Sequence, residues 1–198
     1  MKPLLIIVSA PSGAGKTSLC DRLLQDYPEI VYSISCTTRL PRGEEVDGED
    51  YHFLTEANFE KHVKKGHFLE HAKVHGFYYG TLRAPVDEAL AEGHCVLMDI
   101  DVEGAAQVRA AVGKLPATNP LRAGFTDIFI KPPSLDELHA RLEGRSEDDE
   151  ATIERRMKNA VGEMARAGEF RYHVVNDDFE VAYRELRGII ETASNLHG

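Results

Sequence analysis

An α/β fold with a largely parallel sheet is what this chain predicts, on three observations. Short apolar segments alternate with amphipathic helical ones along most of the 198 residues. Some of the apolar segments are near-continuous, Cys95-Val96-Leu97-Met98 among them, as in strands covered on both faces. The first of them runs into a glycine-bearing turn that opens a helix, Ser9-Ala10-Pro11-Ser12-Gly13-Ala14-Gly15-Lys16-Thr17.

The first strand is expected from Leu4 to Ser9 and the first helix from Lys16. A strand, a turn and then Gly-Lys-Thr form the setting of a Walker A phosphate loop. Backbone N–H groups around Ser12 to Thr17 would wrap a β-phosphate, Lys16 would reach the β/γ oxygens, and the Thr17 hydroxyl would join Mg²⁺. The strict pattern begins with glycine, and here Ala10 stands in that place. The loop tolerates it if only a small side chain is required, with Gly13 and Gly15 keeping backbone freedom nearer the phosphates. Nucleotide binding is the expectation.

Further strands are expected at Val31 to Cys36, His94 to Ile100 and Thr126 to Lys131. From Ile34 to about Thr81 the alternation gives way to Gly, Tyr, His and polar residues with short strand-like pieces, which suggests a small β-rich insertion over the site. From Arg141 to about Arg156 the chain crosses Ser146-Glu147-Asp148-Asp149-Glu150, an exposed stretch suited to a mobile lid. Gly113 to Gly124 carries two prolines and no apolar period, so a loop is expected. The last helix, about Phe179 to Leu196, has apolar positions at Val181, Leu186, Ile189 and Ile190 and should pack on the sheet as scaffold.

Length and composition restrict the rest. The chain suits one domain with a well-buried core. Thirty-three acidic against 23 basic residues, a formal net charge of −10, argue against broad binding to nucleic acid or an anionic membrane. Cys20, Cys36 and Cys95 are odd in number and widely spaced, so neither a disulfide framework nor a zinc site is expected, and a reducing cytoplasm fits. The apolar run at the start is too short to span a membrane.

A second phosphate grip is suggested by Thr37-Thr38-Arg39-Leu40-Pro41-Arg42 and Gly48-Glu49-Asp50-Tyr51. Arg39 and Arg42 flank a proline-stiffened turn and could fork onto a phosphate, with Tyr51 adding a hydroxyl. Met98-Asp99-Ile100-Asp101 ends a strand with two carboxylates on one side, where ligands of open α/β sheets bind; a helix N-cap is the plainer role for either. Arg141 and Arg145 are spaced i, i+4 on one helix face, with Arg156 across the acidic stretch. His67-Phe68-Leu69-Glu70-His71 matches the inverted zinc-protease pattern, which needs a helix. The segment follows Lys65-Gly66 and leads to a Gly-rich aromatic turn, a poor setting for such a helix. In an extended segment Glu70 points to the face opposite His67 and His71, so no metal site is expected there.

The ordered motifs SAPSGAGKT, SxSxTTRxPR, GEDYHF, FLEHAxVxGxYYGT, LMDIDxEGA, PPSxxEL, RLxGR and VVNDD resemble the guanylate kinase family over nearly the whole chain. The resemblance implies a P-loop NTPase fold of three layers, α/β/α, forming one domain. Its core would be residues 1–33, 82–135 and 157–198, with a GMP-binding region at 34–81 and a helical lid at about 136–156. It implies Mg²⁺-dependent transfer of the γ-phosphoryl of ATP to GMP, and to dGMP, by a cytoplasmic monomer or homodimer that needs neither nucleic acid nor membrane.

By the same resemblance Ser12, Gly13, Ala14, Gly15, Lys16, Thr17 and Ser18 hold ATP, and Asn176 lies beside the adenine. Thr17 and, through water, Asp99 attend the metal. Arg39, Arg42, Tyr51 and Tyr79 hold the GMP phosphate, whereas Tyr78 is expected to pack in the core. Glu70 would accept from guanine N1–H and the 2-amino group, Ser35 and Thr81 would donate to O6, and Asp101 would accept from the 2-amino group. Lys16, Arg39, Arg141, Arg145 and Arg156 would stabilise the transferring charge, the last three by closing onto the phosphates. The family usually has glycine where this chain has Ser146, which bears on the lid hinge.

Two other readings fit the residues less well. Guanylate-kinase-like modules of scaffold proteins have lost catalysis and typically lack the loop lysine or other ATP-site residues, which are present here. A kinase for another sugar phosphate would leave Ser35, Glu70 and Thr81 without a guanine to read. The 113–124 stretch is longer than the family pattern leads one to expect, and is read as a neutral surface insertion.

Overall fold

The computed structural model describes residues 2–74, 76–144 and 149–196. Its elements run β1 (Leu5–Ser9), α1 (Lys16–Asp26), β2 (Ile30–Tyr32), β3 (Cys36–Thr37), β4 (His52–Phe53), α2 (Glu56–Lys64), β5 (Phe68–Val74), β6 (Phe77–Leu82) and α3 (Arg83–Ala91). They continue as β7 (Cys95–Asp99), α4 (Val102–Gly113), α5 (Pro120–Ala123), β8 (Phe125–Lys131), α6 (Leu135–Glu143), α7 (Glu150–Ala165), β9 (Tyr172–Val175) and α8 (Phe179–Leu196).

A five-stranded sheet in the order β2-β7-β1-β8-β9 is parallel throughout. All five residues of β1 are buried, and its side chains divide between two cores. Ile6 and Val8 pack with Leu19 and Leu23 of α1 and Leu186 and Ile190 of α8. Leu5 and Ile7 pack with Val86 of α3, Val108 of α4 and Phe129. Helices therefore cover both faces, which is why β1 and β7 read as unbroken apolar runs.

A second sheet, in the order β4-β3-β6-β5, is mixed: β3 pairs parallel with β4, while β6 runs antiparallel to both β3 and β5. Its apolar face packs around Phe59 of α2, with Cys36 and Phe68 buried and Tyr78 partly buried against them, the core role expected of Tyr78.

Four expectations need correction. The single strand expected at Val31 to Cys36 is two. Ile30–Tyr32 pairs with β7; the chain then leaves that sheet after the Ser33 N–H bond to Leu97 O and enters the second sheet at Cys36. Alternation of side chains continues through the crossing, so the sequence pattern does not register a change of partner strand. The insertion also contains a helix, α2, started by Thr55, whose side chain accepts from the Asn58 N–H. Val181 of α8 is 54% exposed, and Ala182 and Tyr183 fill the packed face instead.

The fourth correction concerns residues 113–124. They include the short α5, whose Leu121 is 6% exposed and joins the core beneath α3 and α4. This stretch plugs the core rather than lying neutrally on the surface. Leu121→Ala is expected to cost about 2–4 kcal/mol, seen as an earlier midpoint in urea with an unchanged slope.

Candidate functional site

The site forms at the carboxyl ends of β1 and β7, the side on which open α/β sheets bind ligands. Ser9 Oγ donates to Ile100 O at 2.5 Å and ties the two strand ends together. From β1 the chain turns through Gly13 at φ 92° and Gly15 at φ 88°, and Gly15 is the N-cap of α1 with no side-chain bond over the helix end. The first N–H groups of α1 are left directed at the loop, a ready anion site. Ala10, in place of the expected glycine, is buried in the core that also holds Val8 and Ala14. Ser12, Thr17 and Ser18 are exposed on the loop and the first turn of α1.

Asn176 braces this loop from below. Its Nδ2 donates to Ala14 O at 2.8 Å, and its own N–H donates to Lys131 O at the end of β8. A Cβ at Gly15 would lie 2.1 Å from Asn176 Nδ2, in a backbone conformation that side chains rarely adopt. Gly15→Ala is expected to displace Asn176 and open the loop, lowering at least tenfold, by calorimetry, the affinity for any phosphate-bearing ligand that the loop holds. Arg141 Nη1 donates to Asn176 O at 2.9 Å and its Nε to Glu137 at 3.0 Å, which sets this guanidinium beside the loop. Leu138 and Leu142 of α6 lie about 3 Å from where a Gly13 Cβ would stand, so α6 is packed directly on the loop.

Lys16 points to Asp99 at the end of β7 and forms an ion pair with it. Burial pulls the ammonium below the ordinary lysine value, while Cys20, Asp101 and Glu163 push it back up. Asp101 takes the helix N-cap role: it caps α4, accepting from the Gly104 N–H at 2.8 Å.

Beside Asp99 lies a cavity of about 200 Å³ lined by Ser35, Tyr51, Glu70, Tyr79, Asp99 and Asp101 among others. Glu70 enters it because of a bulge: Phe68 pairs with Leu82 and Glu70 with Thr81, so Leu69 is the extra residue. Leu69 turns into the main core, while Glu70, 5% exposed, accepts from Thr81 Oγ1 at 2.7 Å. Burial raises the Glu70 carboxyl to about 7; the Thr81 bond opposes the shift and Asp101 adds to it. Because the folded value is raised, the native state holds the extra proton between 4.5 and about 7. Glu70 therefore makes the protein less stable as pH rises through that window.

Arg39 is 7% exposed and lies over the Tyr51 ring at 5.3 Å from its centroid. Its fork is already engaged, with Nη1 and Nη2 each 2.8 Å from an oxygen of Glu45. Glu45 also accepts from the Arg42 N–H, and these bonds hold its carboxyl down at about 2. The Arg42 side chain is exposed. Tyr51 and Tyr79 meet edge to face at 6.0 Å.

The fold thus gathers Ser35, Tyr51, Glu70, Tyr79, Thr81, Asp99 and Asp101, with Lys16 reached through Asp99 and Arg39 through Tyr51. Arg42, Arg141 and Arg156 are not among the cavity's lining residues, and Arg156 is carried by α7. Arg145 and Ser146 lie outside the described residues. The strand at Phe68–Val74 rules out the helix a His67–Glu70–His71 metal site would need. Sequence reasoning missed three residues. Glu45 fills the Arg39 fork. Gly104 leaves room for Glu70, whose Oε2 is 2.8 Å from a Cβ placed there. Gln107 accepts from His71 N–H and donates to His71 O, fastening β5 to α4. Gly104 stands in the quoted LMDIDxEGA motif, but only the fold brings Glu70 against it.

A family model described as guanylate kinase matches residues 2–193. A guanylate kinase of Anaeromyxobacter dehalogenans is 50% identical over 188 residues, covering 94% of this chain and 79% of that relative. One from Nitratidesulfovibrio vulgaris is 49% identical over 194 residues, covering 96% and 88%. Among solved structures, guanylate kinase from Anaplasma phagocytophilum matches with a TM-score of 0.75 at 28% identity, covering 98% of this chain and 87% of that one.

Proposed function

The chain belongs to the guanylate kinase family and phosphorylates GMP with ATP; on that premise we propose how its residues divide the work. The observation that carries the division is the buried Glu70–Thr81 pair in a cavity that reaches, through Asp99, to Lys16 of the phosphate loop. The acceptor base lies against Glu70, which takes the N1–H and 2-amino protons of guanine that adenine cannot offer. Ser35 and Thr81 donate to O6, and Asp101 accepts from the 2-amino group. Arg39, Arg42, Tyr51 and Tyr79 hold the GMP phosphate, with Glu45 yielding part of the Arg39 fork when it arrives. The same contacts serve dGMP, which carries the same base and phosphate.

ATP lies on residues 12–18 with its β-phosphate on the N-terminus of α1 and Lys16 on the β/γ oxygens. Asn176 acts chiefly by bracing the loop at Ala14, beside the adenine. Thr17 and Asp99 offer the oxygen donors that suit Mg²⁺. Among the described residues no group of three or more His, Cys, Asp or Glu forms a metal cage, as fits an ion held mainly by substrate phosphates. When bound, the ion neutralises charge on the β- and γ-oxygens. Lys16 leaves Asp99 for the phosphates as ATP enters, and Arg141, next to the loop, turns with Arg145 and Arg156 toward the γ-phosphoryl. Closure of residues 34–81 and 136–156 over both nucleotides excludes water.

Among the described residues no helix is long and apolar enough to cross a membrane. Three buried free cysteines fit a reducing, cytoplasmic setting, and the formal net charge of −10 weighs against nucleic-acid or anionic-membrane partners. An enzyme acting on small molecules as a monomer or homodimer is the reading proposed.

Glu70 must be ionised to accept two guanine protons, and burial raises its carboxyl to about 7. The KM for GMP is therefore expected to rise several-fold between pH 8 and pH 6, with proton release on binding at the lower pH. Calorimetry of GMP binding across that range tests this, and Glu70→Gln should flatten the profile. A wild-type profile as flat as the variant's would remove Glu70 from base recognition.

A further inference from the structure

Away from the nucleotide cavity, two histidines face each other at the joint between α2 and β5. Helix α2 ends in a Schellman motif: the Gly66 N–H bonds to Val63 O, the His67 N–H bonds to His62 O, and Gly66 sits at φ 66°. In that motif the residue after the glycine meets the residue five positions earlier, usually as an apolar pair. Here the pair is His62 and His67. Their Nδ1 atoms are 3.0 Å apart and their ring centroids 5.1 Å, at 63°. The backbone bond between the same two residues fixes the spacing of the rings.

We propose that His62 and His67 form a surface site for a borderline divalent transition metal of the Zn²⁺, Ni²⁺ or Cu²⁺ class, bound through the two Nδ1 atoms. Two imidazole nitrogens at metal bonds of about 2.0–2.1 Å, kept 3.0 Å apart, subtend about 90° at the ion. That is a cis pair of a square-planar or octahedral shell, with water completing it. Slight opening of the rings gives the tetrahedral angle of zinc. In the neutral pair, the ring whose Nδ1 carries the proton takes up the Nε2–H tautomer, its proton exchanging through water, and both Nδ1 lone pairs are then free for the ion. Protons compete with the metal for these nitrogens, so binding weakens as pH falls. The C-terminal end of α2 adds a favourable dipole for a cation. The rings border a cavity of about 440 Å³ whose lining also includes the carboxylate-bearing Asp87 and the cationic Arg83. His67 is exposed and His62 half-buried, which leaves the outer coordination positions open to water. Imidazole ligands exclude Mg²⁺, so the site is separate from the nucleotide's ion. A metal here would clamp α2 to the first residues of β5, the strand that carries Glu70 three residues on.

Ni²⁺ is the probe, titrated by calorimetry into the full chain with excess Mg²⁺ present to occupy oxygen sites. The expected result is one Ni²⁺ per chain, an affinity at least tenfold weaker at pH 5.5 than at pH 7.5, and a higher melting temperature in Ni²⁺. His62→Leu with His67→Phe keeps an apolar Schellman contact and so keeps the fold. It should lose the Ni²⁺ affinity by at least tenfold while its metal-free melt and its kinase turnover stay near wild type. Ni²⁺ binding that survives in this double variant, or wild-type chain that takes up no Ni²⁺ at pH 7.5, would overturn the proposal.

Discussion

Lys16→Ala is expected to lower kcat for GMP phosphorylation by about 10³-fold, with the KM for GMP changed far less. The ammonium is partly buried at the loop and paired with Asp99, and on the proposed division of roles it stands where charge on the β/γ oxygens develops. Partial burial strengthens its pull on those oxygens relative to a fully solvated lysine. In the proposed arrangement GMP lies on the other side of Asp99, against Glu70, and its ground-state contacts do not include Lys16. Steady-state rates with each substrate varied separate the two effects. The variant should retain its fold, since Asp99 remains partly open to solvent and can be hydrated once its partner is gone. A loss confined to KM for ATP would make Lys16 a binding group only.

The second large effect is expected at Glu70. Glu70→Ala should cut the preference for GMP over AMP by about 10⁴-fold, most of it through lost turnover with GMP. A buried acceptor meeting N1–H and the 2-amino group rewards guanine, and leaves itself unpaired against adenine. Alanine removes both the reward and the penalty. The same substitution removes a carboxylate that burial holds at about 7, so the variant should also be more stable than wild type above pH 7. Thr81 then loses its acceptor, which limits that gain. A variant that keeps its base preference while losing rate would make Glu70 a support for Thr81 and Asp101, not the reader of the base.

Much of the fold could be read from the chain because its signals are local. The first strand, the glycine turn and α1 appear in order, and β7, β8 and α8 fall within a residue or two of where their apolar runs place them. What escaped depends on partners distant in sequence. The run from Val31 to Cys36 alternates smoothly although it serves two sheets, and nothing local marks Ser33 as the last residue bonded to β7. Residues 56–64 read as polar insertion, yet Phe59 and, one turn on, Val63 are enough to seat α2 on the second sheet.

The candidate site shows the same division. Lys16, Glu70 and Asp101 were found from motif and chemistry, and the fold brings them to one end of the sheet. The bulge at Leu69 that turns Glu70 inward, the Gly104 gap that admits it and the Glu45 carboxylate in the Arg39 fork are products of register and packing. Asn176 was read as an adenine neighbour, and the fold adds a firmer role beneath the loop at Ala14.

ADP production from ATP and Mg²⁺, measured with GMP, AMP, CMP and UMP as acceptors and with Lys16→Ala and Glu70→Ala beside the wild type, is the most direct measurement. Turnover selective for GMP, falling with Lys16→Ala and losing base discrimination with Glu70→Ala, is what the arrangement of the phosphate loop and the Glu70 cavity predicts. GMP binding without phosphorylation of any acceptor, or equal rates with GMP and AMP in the wild type, would contradict it.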